Sequence, residues 1–232
     1  LSSEYGLAAV TPLSPTAPVS YLRKSFTFPG DPSRTTVRLN HTLADGAVFY
    51  LNGTEILRPN MPAGLVDHST AASSIIASPL PSGQVLVPST SLVSGTNVLA
   101  VSLHKAAGST ATYFNAALES LELPADPSAP APLQFNEIAG ASDANFYLEF
   151  RNNSGSALDT AGWTLTTSLG QSAALPAQSV PANGLFTLNA AALGFSPVDG
   201  TRLFLLAPGG IALSDAREVT SRIRGLVDGG RW

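Results

Sequence analysis

Apolar residues along this chain come in short alternating bursts, separated by turn residues rather than by the long polar faces of amphipathic helices. Leu22, Phe26 and Phe28 share one parity with Lys24 between them, and Val37 and Leu39 follow. Ala47-Val48-Phe49-Tyr50-Leu51 is apolar on both parities and closes on Asn52-Gly53. Both residues of that pair tolerate positive φ, so it predicts a hairpin whose return strand is Glu55-Ile56-Leu57. Residues 85–87, 97–104 and 113–123 are further predicted strands, with turns at 95–97 and 108–110. Strands this closely spaced leave no room for helical crossovers and predict an antiparallel sandwich.

The second half repeats the pattern in type but not in sequence. Residues 135–138, 163–167, 185–188 and 203–206 are predicted strands, and Phe146, Leu148 and Phe150 alternate with Tyr147, Glu149 and Arg151. Asn-Asn-Ser-Gly, Pro-Ala-Asn-Gly and Pro-Gly-Gly turns separate them, and residues 190–193 read as one helical turn. Between the halves, residues 124–132 hold four prolines in nine positions and no large apolar side chain, a composition that favours an extended, semi-rigid spacer. The expected organisation is a first sandwich over 1–123, including a Pro/Ser/Thr-rich leader at 11–20, a linker at 124–132 and a second sandwich over 133–232.

Composition narrows the chemistry. Of 232 residues, 20 are glycine, 18 proline and only 12% charged, which suits strands and turns. The absence of cysteine excludes thiolate metal sites, thiol catalysis and disulfides. Cut near residue 124, the halves carry net charges of −1 and −3, so neither offers the basic footprint that nucleic acid or an anionic membrane surface requires. No apolar run approaches the roughly 18 residues of a membrane helix, and no membrane insertion is expected. The start at Leu1 and the end at Trp232 read as those of a piece of a longer chain.

Two family resemblances enter on particular residues. Residues 21–26, the run Asp45-Gly46-Ala47-Val48-Phe49-Tyr50-Leu51-Asn52-Gly53-Thr54-Glu55, Asn60-Met61-Pro62-Ala63-Gly64 and residues 95–104 resemble the galactose-binding-like jelly-roll module of large secreted and surface proteins of bacteria such as planctomycetes and verrucomicrobia. That resemblance covers about residues 20–123. Phe135-Asn136-Glu137-Ile138, Phe146-Tyr147-Leu148-Glu149-Phe150-Arg151-Asn152 and residues 158–165 resemble the lamin-tail domain, an immunoglobulin-like sandwich, over about 133–220. Here Asn145-Phe146 stands where that family commonly has Asp-Trp. The fold class implied is all-β, two antiparallel β-sandwiches, a jelly roll and an immunoglobulin-like lamin-tail fold. The resemblances imply a non-catalytic module pair, extracellular or at the cell surface, that binds carbohydrate or docks an attached enzyme or protein partner. The alternative is a structural spacer or a self-associating subunit of a surface layer, stalk or filament.

Candidate chemistry is sparse. His41, His68 and His104 have no partners at metal-ligand spacing, and no Gly-x-Ser-x-Gly elbow occurs. No oxygen-rich acidic cluster of the calcium-binding kind is visible, and neither a cofactor nor a metal is expected. Glu137 and Glu149 fall on neighbouring predicted strands and could approach each other, but read as structural. Trp163 reads as a core anchor, and the Asn40, Asn52 and Asn152 sequons as turn composition. The expected ligand-binding surface is the first-domain set His41, Asp45, Asn52, Arg58, Asn60 and His104, with Tyr50 and Tyr113 nearby, because sugar recognition needs bidentate polar groups beside an aromatic face.

Overall fold

The computed structural model describes residues 13–14, 16–110, 113–123, 130–210 and 212–225. Most of the expected linker, residues 124–129, and Trp232 lie outside the described residues, as does part of the expected leader. The chain forms two compact units: Leu1–Pro29, Arg38–Val87 and Ser91–Glu119 make the first, and Gly30–Val37, Pro88–Thr90 and Ser120–Trp232 the second. Both are antiparallel β-sandwiches, as the alternation and turn spacing predict. No helix among the described residues is long and apolar enough to cross a membrane.

The first sandwich is built from β1 (Val19–Phe28), β2 (Thr35–Leu43), β3 (Gly46–Leu51), β4 (Thr54–Leu57), β5 (Val85–Val87), β6 (Gly95–His104) and β7 (Phe114–Glu122), of which the start of β2 through Val37 and the end of β7 from Ser120 are counted with the second unit. One sheet has the order β1-β6-β3-β4 and the other β5-β2-β7. Period-two alternation decides which side chains enter the core. Ala47, Phe49 and Leu51 of β3 and Val101 and Leu103 of β6 are buried on the inner face, with Leu39 of β2 also buried. Asn52 and Gly53 both adopt positive φ and close the β3–β4 hairpin. The turn expected at 95–97 is instead the start of β6, because the ten-residue β1 draws Gly95 and Thr96 into register with Phe28 and Thr27.

The second sandwich contains β8 (Leu133–Ile138), β9 (Tyr147–Asn152), β10 (Leu158–Asp159), β11 (Thr164–Thr167), β12 (Ser172–Ala174), β13 (Ser179–Val180), β14 (Leu185–Asn189), β15 (Arg202–Leu206), β16 (Leu213–Glu218) and β17 (Arg224–Gly225). Its sheets run β14-β9-β8-β17 and β12-β11-β15-β16, with β10-β13 as a separate pair. Phe135, Leu148, Phe150, Leu165, Leu203, Leu205 and the expected anchor Trp163 form one buried cluster, in which the Phe135 and Phe150 rings lie 5.3 Å apart. The helical turn α1 (Ala190–Leu193) forms as expected, its N-terminus capped by Asn189 Oδ1 accepting from the Ala192 amide.

Candidate functional site

The outer face of β1-β6-β3-β4 is where the first unit departs from an ordinary sandwich. Register fixes which side chains share that face. Tyr21 of β1 and Val48 of β3 flank Ser102 of β6, and Arg23 and Tyr50 flank Ala100 one rung along. The outward residues of the central strand, Val98, Ala100 and Ser102, are short, whereas Tyr21 and Arg23 of β1 and Tyr50 of β3 beside them are long. Two strand spacings put the Arg23 and Tyr50 backbones about 10 Å apart, and the small side chains between them leave a trough. Its volume is about 980 Å³, and its lining includes Tyr21, Arg23, Tyr50, Asn52, Asp67 and Ser102. Tyr21 is 68% exposed. Arg23 is exposed, and among the described residues its guanidinium makes no side-chain hydrogen bond or ion pair.

The far bank is a long irregular loop, residues 58–84, that connects β4 to β5. Loops of that length without regular structure are uncommon inside compact domains unless they serve a function. Side chains anchor this one to the sheet. Arg58 grips Glu55 with two hydrogen bonds of 2.7 and 2.6 Å and donates to the Pro62 and Gly64 carbonyls. Asn60 donates to Ser74 O and accepts from Ser74 Oγ. Asp45 is fully buried, and its two oxygens accept from the Ile76 and Ala106 amides at 2.9 and 3.0 Å. His104 is buried, with Nδ1 2.7 Å from Thr70 O and Nε2 3.0 Å from Ser102 Oγ. A carbonyl only accepts, so Nδ1 carries the hydrogen of that contact.

The loop lies close on the sheet because residue 46 is glycine. A Cβ there would come within 2.6 Å of Met61 Sδ and 2.7 Å of Asn60 O. Val66 then packs with Val48, Met61, Ala72 and Ala106 beside Tyr50. That packing presents Asp67 to the trough. Asp67 Oδ1 accepts from the Ser69 amide, Ser69 Oγ and Thr70 Oγ1, which holds its carboxyl down at about 2. Asp67 Oδ2 makes no hydrogen bond among the described residues.

The six expected ligand residues are thus placed as follows. Asn52 and His104 line the trough, and Asp45, Arg58 and Asn60 hold the loop that walls it. Asn52 has its amide committed to Ser91 O and Asn97 Oδ1 and its Oδ1 to the Val98 amide. His41 is on the facing sheet, stacked on Phe49 with ring centroids 5.5 Å apart, and burial holds its pKa below the ordinary value. Tyr21, Arg23 and Asp67 were not among the expected residues. A rule that looks for a long side chain opposite small ones on an outward parity would have marked Tyr21 and Arg23, but only once the β1–β6 register was known.

No family model and no curated protein matches the chain. Among solved structures it is similar to a β-glucuronidase of Bacteroides uniformis, with 14% identity and a TM-score of 0.32, covering 87% of this chain and 26% of that one. A β-glucuronidase of Ruminococcus gnavus matches at 10% identity and a TM-score of 0.32, covering 90% and 36%. A β-D-mannosidase of Dictyoglomus thermophilum matches at 11% identity and a TM-score of 0.30, covering 86% and 26%. The chain spans about a quarter to a third of the length of these proteins.

In the second unit Glu137 and Glu149 are direct cross-strand partners. Like charges so placed repel. Tyr147 donates its hydroxyl to Glu137, which pushes the phenol up to about 12, and Asn136 donates to Glu149. Asn152 is fully buried, its amide bonded to the Ser156, Val180 and Pro181 carbonyls.

Proposed function

We propose that the chain is a non-catalytic, carbohydrate-binding module pair of a secreted or cell-surface bacterial protein, with the ligand held in the trough of the first unit. The observation that carries this reading is the exposed Tyr21 facing a wall tied down by Arg58, Asp45 and His104, across a floor of short residues. A tyrosine ring offers an apolar face to the C–H face of a sugar and a hydroxyl at its edge. Arg23 and the unshared Asp67 oxygen supply a donor and an acceptor for sugar hydroxyls. A volume of about 980 Å³ is at the upper end of small-ligand sites.

A glycosidase needs two carboxylates flanking the scissile bond, and the trough lining contains one, Asp67. That favours binding over hydrolysis. In this reading the second, lamin-tail-like sandwich follows the Pro-rich spacer at 124–132 as an accessory module. Self-association through edge strands is less favoured. The edge strand β1 carries Arg23 and Lys24 near its middle, and antiparallel self-pairing centred there would set cation against cation.

The test is affinity electrophoresis of the full chain through gels containing soluble polysaccharides: glucans, xylans, mannans, galactans and pectins. Retardation by at least one, reduced in Tyr21→Ala, is expected. Correctly folded protein that no gel retards would overturn the reading.

A further inference from the structure

The shape and charge of the trough specify more than the word carbohydrate. Its floor follows β6 from Val98 to Ser102, about 14 Å of extended strand. That is longer than one pyranose ring. The two tyrosines are on opposite banks and one rung apart, Tyr21 beside Ser102 and Tyr50 beside Ala100, so they cannot clamp a single ring between them. They are placed to meet successive rings of a chain. The charges are balanced across the same gap. Arg23 is on the β1 bank, and Asp67 is on the loop, next in sequence to Val66, which packs on the same cluster as Tyr50. A uronate drawn to Arg23 would meet the Asp67 carboxylate, and a cationic amino sugar drawn to Asp67 would meet Arg23. Uncharged diols satisfy both.

We infer that the trough takes an internal stretch of a linear, uncharged polysaccharide laid along β6, with Tyr21 and Tyr50 as staggered platforms. This rests on the carbohydrate-binding reading above and adds chain length, orientation and charge to it. Small outward residues on β6 are what make room for the chain, so Ala100 is the position at which the trough can be closed without touching the core.

The experiment is calorimetric titration of the full chain with oligosaccharides prepared from a polysaccharide that retards it, from monosaccharide to hexasaccharide, together with a uronate-containing series. Affinity is expected to rise from undetectable for the monosaccharide to a plateau at three or more rings. Ala100→Phe should weaken the hexasaccharide by at least about tenfold, and Arg23→Ala, an exposed change that leaves folding alone, by about tenfold. Saturable monosaccharide binding with no gain on lengthening, or preference for the uronate series, would overturn the inference and leave the carbohydrate reading standing. Unchanged hexasaccharide affinity in both variants would overturn it as well. Absence of binding to every polysaccharide overturns the underlying reading first.

Discussion

Asp45 is the anchor whose removal has the most legible consequence. Its buried carboxylate accepts from two amides, Ile76 within the long loop and Ala106 after β6. Hydrogen bonds to a charged group contribute about 1.5–3 kcal/mol each, and deleting the acceptor leaves both amides unsatisfied. Asp45 also adopts φ 61°, a left-handed conformation that costs alanine about 1 kcal/mol more than glycine. Asp45→Ala should therefore cost about 4–7 kcal/mol, a large part of the roughly 5–15 kcal/mol that holds a domain together. Asp45→Gly loses the same two bonds without the backbone strain, and is expected to be about 1 kcal/mol less damaging. Asp45→Asn keeps one acceptor and tolerates positive φ, so it should be the mildest of the three. Urea unfolding gives the order, and amide hydrogen exchange at Ile76 and Ala106 shows whether the loop is released before the unit unfolds. An alanine variant within 1 kcal/mol of the parent, or an alanine variant milder than asparagine, would refute the anchoring argument.

Other perturbations follow from the same structure. Asp215 is buried, and desolvation raises its carboxyl to about 6 even though Arg217 and the Phe135 and Ala216 amides oppose the shift. A carboxyl with a raised folded pKa binds its proton more tightly folded than unfolded, so this group contributes up to about 3 kcal/mol that is fully present below about pH 4 and lost as pH rises through 6. Urea midpoints across that window should show the decline, and a midpoint that climbs on Asp215→Ala at low pH would contradict it. Trp163→Ala empties a buried site in the second core and is expected to cost about 3–5 kcal/mol by thermal or urea denaturation. Asn97 is fully buried and donates to Val93 O and Gly95 O. Asn97→Asp would aim a carboxylate at those carbonyls, and the loss, about 3 kcal/mol or more, should shrink in acid as the new carboxyl takes up a proton.

Much of the architecture was legible because it depends on local rules. The parity of Leu22, Phe26 and Phe28, the Asn52-Gly53 hairpin, the alternation of β9 and the helical turn at 190–193 each follow from residue type and spacing, and the structure has them all. Strand β16 was not foreseen. Its central residues Ser214 and Asp215 are polar yet buried, satisfied by Leu133 O and the Phe135 and Ala216 amides, and no local rule reads a buried polar pair as a strand. The trough was legible only in part. Asp45, Asn60 and Arg58 stood out as polar loop residues near an aromatic, but whether such a side chain faces a ligand or holds backbone depends on a loop path through residues 58–84 that carries no periodic signal. Tyr21 and Arg23 looked like ordinary strand residues, since depth arises from what stands beside them on β6 and not from their own neighbours in sequence.

Strand β6 carries two messages on alternate letters. Val101 and Leu103 face the core, and Val98, Ala100 and Ser102 face the trough. Because odd and even positions point to opposite faces, a change of one methyl group at residue 98 or 100 reshapes the trough while the packed interior keeps its composition, whereas residue 102 also holds the buried His104. On the proposed carbohydrate-binding reading, ligand preference would drift between related chains one outward residue at a time, without the stability losses that usually limit how fast a binding site evolves.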